Sequence, residues 1–248
     1  MQTGALTMKI IAHRGAAAEA PENTIEAIER AIELGADAVE LDVRVTHDGV
    51  PVLIHDADLV RTHGAAKLVA DLELSALERI ALEREKPVPT LEEVLARFGN
   101  GTDFIFDIKD AAATEPTIQH IVSAGCIERA IIACASLRVL GNVRSEMPEL
   151  RTGFIIGEAA GAGFGFNVSE RVIPVIDVVM PYWRLVRHHF AAGCRRYSLP
   201  IYAWLALFDE EGAEPRYDIF SQMAAVGVDA VATIRPDALR AHVPARAR

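Results

Sequence analysis

Short, almost continuously apolar runs recur along the chain at about residues 9–13, 38–45, 103–109, 130–135, 152–156, 176–180, 201–205 and 229–233. Runs of that length without strict alternation read as strands buried on both faces. Amphipathic stretches lie between them. Thr24 to Leu34 reads as a helix capped by Asn23 and stopped at Gly35, and Thr90 opens TLEEVLARF with Glu93 at the capping-box position. Further helices fit Glu115 to Ala124, Leu137 to Glu146, Leu185 to Ala192 and Tyr217 to Ala225, whereas the stretch around Gly157 to Arg171 is glycine-rich and least regular. Strands alternating with helices predict a parallel sheet covered by helices, and eight such units predict closure into a (β/α)8 TIM barrel. The 248 residues fit one such domain, 1–248, with a short insert at about 57–86 after the second strand.

Polar residues interrupt the second run in a regular way. In Ala38 to Val45 (AVELDVRV), Glu40, Asp42 and Arg44 share one face of a strand while Val39, Leu41 and Val43 take the other. Thr46-His47-Asp48-Gly49 then marks a tight turn into a second apolar run, Val50 to His55, so these two strands are antiparallel. A turn centred on His47-Asp48 makes paired residues sum to about 95, placing His55 opposite Glu40 and Leu53 opposite Asp42. In Asp103 to Lys109 (DFIFDIK), Asp107 and Lys109 again share a face. Three carboxylates with open positions suit a hard divalent cation, Mg²⁺ or Ca²⁺. Arg14 and Lys109 can hold the remaining charge of a phosphate. His13 ends the first strand, Glu40 and Asp42 lie toward the end of the second, Asp107 and Lys109 end the third, and Trp204 lies near the end of the seventh, the end where barrels of this kind carry chemistry.

Composition narrows the partners. The formal charge of −10, from 25 basic and 35 acidic residues, argues against nucleic acid or an anionic membrane as partner. The three cysteines, Cys126, Cys134 and Cys194, lack CxxC spacing, which argues against a disulfide framework or zinc site and for a reducing, cytoplasmic setting. The first residues show no basic-then-apolar leader, and residues 153–168 are too broken by glycine to form a membrane helix, so no stable membrane insertion is expected. His47, His63, His120, His188, His189 and His242 fall in turns or on helix surfaces and read as solvated.

The order of motifs is distinctive. HRG at His13, PENT at Pro21, ELDV at Glu40, the Asp-Gly turn, PVLIHD at Pro51, PTLEEVL at Pro89, the Asp-x-Lys of Asp107 and the closing GVDAV with Arg235-Pro236-Asp237 together resemble the glycerophosphodiester phosphodiesterases, from about Ile10 to Pro236. The resemblance implies a TIM barrel with one divalent cation, held by Glu40, Asp42 and Asp107. It implies His13 and His55 as acid and base, Arg14 and Lys109 on the phosphate, and Trp204 beside the substrate. It implies hydrolysis of a small-molecule glycerophosphodiester to glycerol phosphate and an alcohol. Asp107 stands where the family usually has Glu; the related sphingomyelinase D group also uses Asp there. The insert is abbreviated, and Leu205-Ala206-Leu207 replaces more polar residues after Trp204. Asp107 and the short insert would suit one alternative, a lysophospholipase D-like enzyme acting on lysolipids or sphingolipids; a second alternative is a non-catalytic barrel that binds a phosphate ester, against which intact His13 and His55 argue. The plainer reading of Asp107 is a buried ion pair with Lys109 or Arg44.

Overall fold

The computed structural model describes residues 8–157, 173–205 and 217–240. In chain order the strands among them are Lys9–His13 (β1), Ala38–Val45 (β2), Pro51–Leu53 (β3), Asp58–Leu59 (β4), Ala65–Leu68 (β5), Phe104–Ile108 (β6), Ala130–Cys134 (β7), Arg151–Ile156 (β8), Val178–Pro181 (β9), Tyr202–Trp204 (β10) and Ala230–Thr233 (β11). The helices are Ile25–Glu33 (α1), Val60–His63 (α2), Leu74–Glu83 (α3), Leu91–Phe98 (α4), Thr114–Ser123 (α5), Leu137–Glu146 (α6), His188–Arg196 (α7), Tyr217–Val226 (α8) and Pro236–Arg240 (α9).

Eight parallel strands run in the order β10-β11-β1-β2-β6-β7-β8-β9. Single parallel bridges Val179–Ile201 and Tyr182–Trp204 draw the two ends together, so the barrel is nearly closed. These strands correspond to the eight apolar runs. Burial on both faces explains the runs: Ile10, Leu41, Val43, Phe106, Ile132 and Val231 pack outward against the helices. Their neighbours Ile11, Ile105, Ile131, Val178, Met180 and Ala232 fill the barrel interior. Among the described residues no helix is long and apolar enough to cross a membrane. The three cysteines are free and buried.

Side-chain caps start α1, α4 and α6. Thr90 and Glu93 form the expected capping box at the start of α4. The cap of α1 is Thr24, whose hydroxyl accepts from Ala27 N at 3.2 Å, and not Asn23 as the pattern predicts. A preceding 3₁₀ turn, Trp183–Leu185, occupies the expected start of the next helix, so α7 begins only at His188. The glycine-rich stretch lies at its centre, 158–172, outside the described residues, as does His242.

The β2–β3 hairpin departs from the expected register. Val43 faces Leu53 and Val45 faces Pro51, so pairs sum to 96 and not 95. The loop holds three residues, with Thr46 N donating to Val50 O and Gly49 at φ +85, the left-handed position that ends a three-residue hairpin loop. His55 is therefore not opposite Glu40. β3 ends at Leu53, Ile54 N still donates to Asp42 O at 3.1 Å, and the chain then bends over residues 55–57. Beyond the bend, the insert carries the two-stranded β4-β5 sheet, α2 and α3, built on a small core of Val52, Ile54, Leu59, Val69 and Leu77. His63 belongs to this insert and is buried, with Nε2 2.9 Å from Lys86 O and Nδ1 2.7 Å from the Thr62 hydroxyl, so the solvated reading fails for it. His47, His188 and His189 are exposed, and His120 is half-buried on Pro116 O at 2.8 Å.

Gly15 makes the turn after β1 possible. It sits at φ +82, and a Cβ there would come within 2.6 Å of the Ala27 carbonyl carbon. Gly15→Ala is expected to lower unfolding free energy by about 2–3 kcal/mol through clash and left-handed strain together. Urea denaturation checks this; a loss under about 0.5 kcal/mol would mean the loop relaxes freely.

Candidate active site

The site begins with strand register. In parallel neighbours, paired residues share a face. β1 pairs His13 with Glu40 of β2, and β2 pairs Asp42 with Asp107 of β6. Four polar side chains thus replace the apolar layers at the C-terminal end of the barrel. Glu40, Asp42 and Asp107 are buried, with one oxygen of each lying within 4.8 Å of the others.

Two cations share this space with three carboxylates. Lys109, just past the end of β6, places Nζ 3.0 Å from Asp42 Oδ1 and donates to Asp107 as well. Arg14 places Nε 3.1 Å from Asp42 Oδ2 and Nη1 3.2 Å from Glu22, while its backbone N donates to Glu40 at 3.1 Å. The Asp107–Lys109 ion pair of the plainer reading is thus present, but it sits inside the carboxylate cluster; Arg44 pairs instead with Asp110 at 2.7 Å.

The electrostatics follow. Burial works to raise the Asp42 pKa, but Lys109 and Arg14 outweigh it and hold this carboxyl well below the usual range. Glu40 is pushed far up, by burial first and then by the Asp42 and Asp107 charges. Burial also raises Asp107, against the pull of Lys109. Lys109 is held protonated because its three carboxylate neighbours overcome the cost of its burial. His13 is lowered to about 3 by burial, reinforced by Arg14, and so carries no charge. Its Nε2 lies 3.7 Å from Glu40 Oε2, and its buried Nδ1 has no hydrogen-bond partner. Three buried carboxylates against two cations leave one negative charge uncompensated, and this excess favours a proton on Glu40. An all-oxygen donor set with that deficit fits a hard divalent cation.

His55 reaches the same cavity from the bend after β3. Arg44 Nε donates to its carbonyl at 2.8 Å, fixing the backbone, and its Nδ1 lies 2.7 Å from Asp56 Oδ1. The cavity of ≈ 260 Å³ is lined on its polar side by His13, Arg14, Glu40, His55, Asp107 and Lys109, and on the other by Ile155, Met180, Trp204 and Ala232. Asp42 is fully buried and does not line the cavity, but contacts its lining residues Arg14 and Lys109. Trp204 packs against Tyr182, with ring centroids 4.9 Å apart. All eight residues singled out in the sequence therefore meet at one place.

Two contributors escape sequence reasoning. Asp56 follows His55 directly, and only the bend turns its carboxylate onto the histidine ring. Asn23, expected to cap α1, sits at φ +59 and grips Asp42 from both sides. Its Nδ2 donates to Asp42 Oδ2 at 2.8 Å and its Oδ1 accepts from Asp42 N at 3.0 Å. The signal that could have found it is Thr24 one residue later, an equally good cap that frees the asparagine for other use. Asn23→Gly tolerates the left-handed backbone but removes both bonds, and is expected to cost about 1–3 kcal/mol in urea unfolding; unchanged stability would show that the amide does not hold Asp42.

Comparison with known proteins gives a consistent picture. Residues 13–238 match the model of the glycerophosphoryl diester phosphodiesterase family. A glycerophosphodiester phosphodiesterase of Caldanaerobacter subterraneus subsp. tengcongensis is 30% identical over 247 residues, spanning 93% of this chain and 95% of the relative. The crystal structure of a Thermotoga maritima glycerophosphodiester phosphodiesterase superposes with a TM-score of 0.78 at 24% identity, covering 94% of this chain and 96% of that one. An Oleispira antarctica phosphodiesterase, solved with its product sn-glycerol-3-phosphate, superposes with a TM-score of 0.75 at 19% identity, covering 94% of this chain and 95% of that one. At such identities the two structures speak for the fold, and the TIM barrel is common to all. On the family match and the full-length relative, this chain belongs to the glycerophosphoryl diester phosphodiesterase family.

Proposed function

We propose that this protein hydrolyses glycerophosphodiesters to glycerol phosphate and an alcohol. The observation that carries the reading is the convergence of two histidines, an arginine and a lysine above three buried carboxylates, in one small cavity of a chain from this family. Glu40, Asp42 and Asp107 would hold one divalent cation, Mg²⁺ or Ca²⁺, which would supply positive charge against the negative charge that builds on the phosphate oxygens.

The remaining steps fall to the chain's own side chains. Arg14 and Lys109 line the cavity and offer N–H donors to the phosphate. His13 and His55 move the protons: one takes the proton of the attacking oxygen and the other protonates the departing alkoxide, each contributing typically 10²- to 10⁴-fold. Asp56 accepts from His55 Nδ1, which fixes the ring and leaves Nε2 for the substrate. Trp204, Met180 and Ile155 give the other wall an apolar character suited to the alcohol. That wall favours a second reading, in which it receives the acyl chain of a lysolipid, whose cleavage would release the head-group alcohol and leave the acylated glycerol phosphate. In either case the substrate is a small-molecule phosphodiester, and the net charge of −10 disfavours nucleic acid.

Release of glycerol phosphate from glycerophosphocholine and glycerophosphoethanolamine, measured beside detergent-dispersed lysolipid, tests the proposal. Chelation should abolish turnover and added Mg²⁺, Ca²⁺ or Mn²⁺ restore it, while His13→Ala and His55→Ala should each lower kcat by roughly 10² or more. Turnover that survives both chelation and the His13 substitution would overturn the mechanism. Product from lysolipid alone would select the second reading, and binding without turnover of any of the three would leave a phosphate-ester-binding barrel.

A further inference from the structure

The short helix α2 of the insert carries a residue that reaches back into the site's polar network. Leu59 is fully buried in the insert's small core, and Val60 N donates to Asp58 Oδ1 at 2.9 Å to start α2. Gly64, at φ +65, closes it after one turn. Arg61 is thereby held over the loop between β1 and α1. Its Nε donates to Asp56 Oδ2 at 2.6 Å, and its Nη2 and Nη1 donate to the two oxygens of Glu22 at 2.6 and 3.0 Å. Asp56 spends its other oxygen on His55, and Glu22 also accepts from Arg14. A continuous line of charged contacts runs from His55 through Asp56, Arg61 and Glu22 to Arg14.

We propose that Arg61 is a positioning residue for the reaction: by clamping Asp56 to Glu22 it fixes the carboxylate that orients His55. The proposal rests on the function proposed above. An ionised carboxylate only accepts, so Asp56 requires a hydrogen on His55 Nδ1 whether the ring is neutral or protonated, and presents Nε2 to the substrate as base or acid. A carboxylate oriented on one side only can swing, and the ring swings with it. Arg61 removes that freedom with a planar fork whose two sides are occupied by carboxylates from separate segments of the chain. The plainer interpretation is a surface ion pair, since the Arg61 side chain is 49% exposed, and such pairs contribute little. A surface pair, however, would leave kcat per folded molecule and the histidine tautomer untouched.

The test uses the full chain loaded with cation, comparing wild type, Arg61→Ala, Arg61→Lys and Asp56→Asn on glycerophosphocholine. Arg61→Ala is expected to lower kcat roughly tenfold or more, with KM within about threefold and the unfolding midpoint near that of wild type. Arg61→Lys should recover only part of the loss, because an ammonium cannot hold two carboxylates in one plane, and added guanidinium should partly rescue Arg61→Ala. In parallel, ¹⁵N NMR of the neutral His55 ring should show one Nδ1–H tautomer in wild type and a mixture in Arg61→Ala. Wild-type kcat per folded molecule together with an unchanged tautomer in Arg61→Ala would overturn the proposal. Should wild type itself release no glycerol phosphate, the functional reading falls, and the tautomer comparison still decides whether Arg61 positions His55.

Discussion

Three carboxylates buried within 4.8 Å of one another are the constraint around which the molecule is arranged. Like charges at that distance, out of water, repel strongly unless compensated. Lys109 and Arg14 compensate two of them, and the excess appears on Glu40, which is driven toward its protonated form. A protein selected for stability alone would fill this end of the barrel with apolar residues, as it fills the layers below with Ile11, Ile105 and Ile131. The retained charge is what a phosphate-handling site requires: an electrostatic deficit that a divalent cation relieves, beside cationic donors for the anion that follows.

The barrel makes this arrangement possible with few residues. Because paired positions on parallel neighbours face the same way, the registers His13–Glu40 and Asp42–Asp107 bring four side chains together from three strands that are distant in sequence. The loop after β1 then adds the second layer. Arg14 and Gly15 both take left-handed backbone, turning the chain so that an amide N–H meets Glu40 and the following residues fold back over α1. Asn23, also left-handed, closes on Asp42. Non-glycine residues in that conformation cost energy, and at functional sites such strain is sustained by the surrounding contacts.

Much of this is legible in the sequence, for identifiable reasons. Strands buried on both faces announce themselves as apolar runs, and a polar residue inside such a run, as with Glu40, Asp42 and Asp107, stands out because burial makes it costly. What escaped depends on single backbone choices. Gly49 at the third loop position shifts the β2–β3 register by one, so His55 arrives through a bend and not by strand pairing. Thr24 and Asn23 are equivalent as caps in one dimension, and only the reach of Asp42 separates their roles. His63 looks like a surface histidine until the insert's core forms beneath it. The Asp56–Arg61–Glu22 line joins residues up to 39 positions apart through a one-turn helix that no periodicity reveals.

If the buried carboxylates hold a divalent cation, direct binding reveals it without reference to turnover. Calorimetric titration with Mg²⁺ and Ca²⁺ on wild type and on a Glu40→Gln, Asp107→Asn double variant, with unfolding followed at each cation level, is the measurement. One cation per chain should bind to wild type and stabilise it by about 2.7 kcal/mol at a hundredfold excess over Kd, with both effects lost in the variant. Absence of binding to wild type, or equal binding to the variant, would show that these carboxylates are not a cation site.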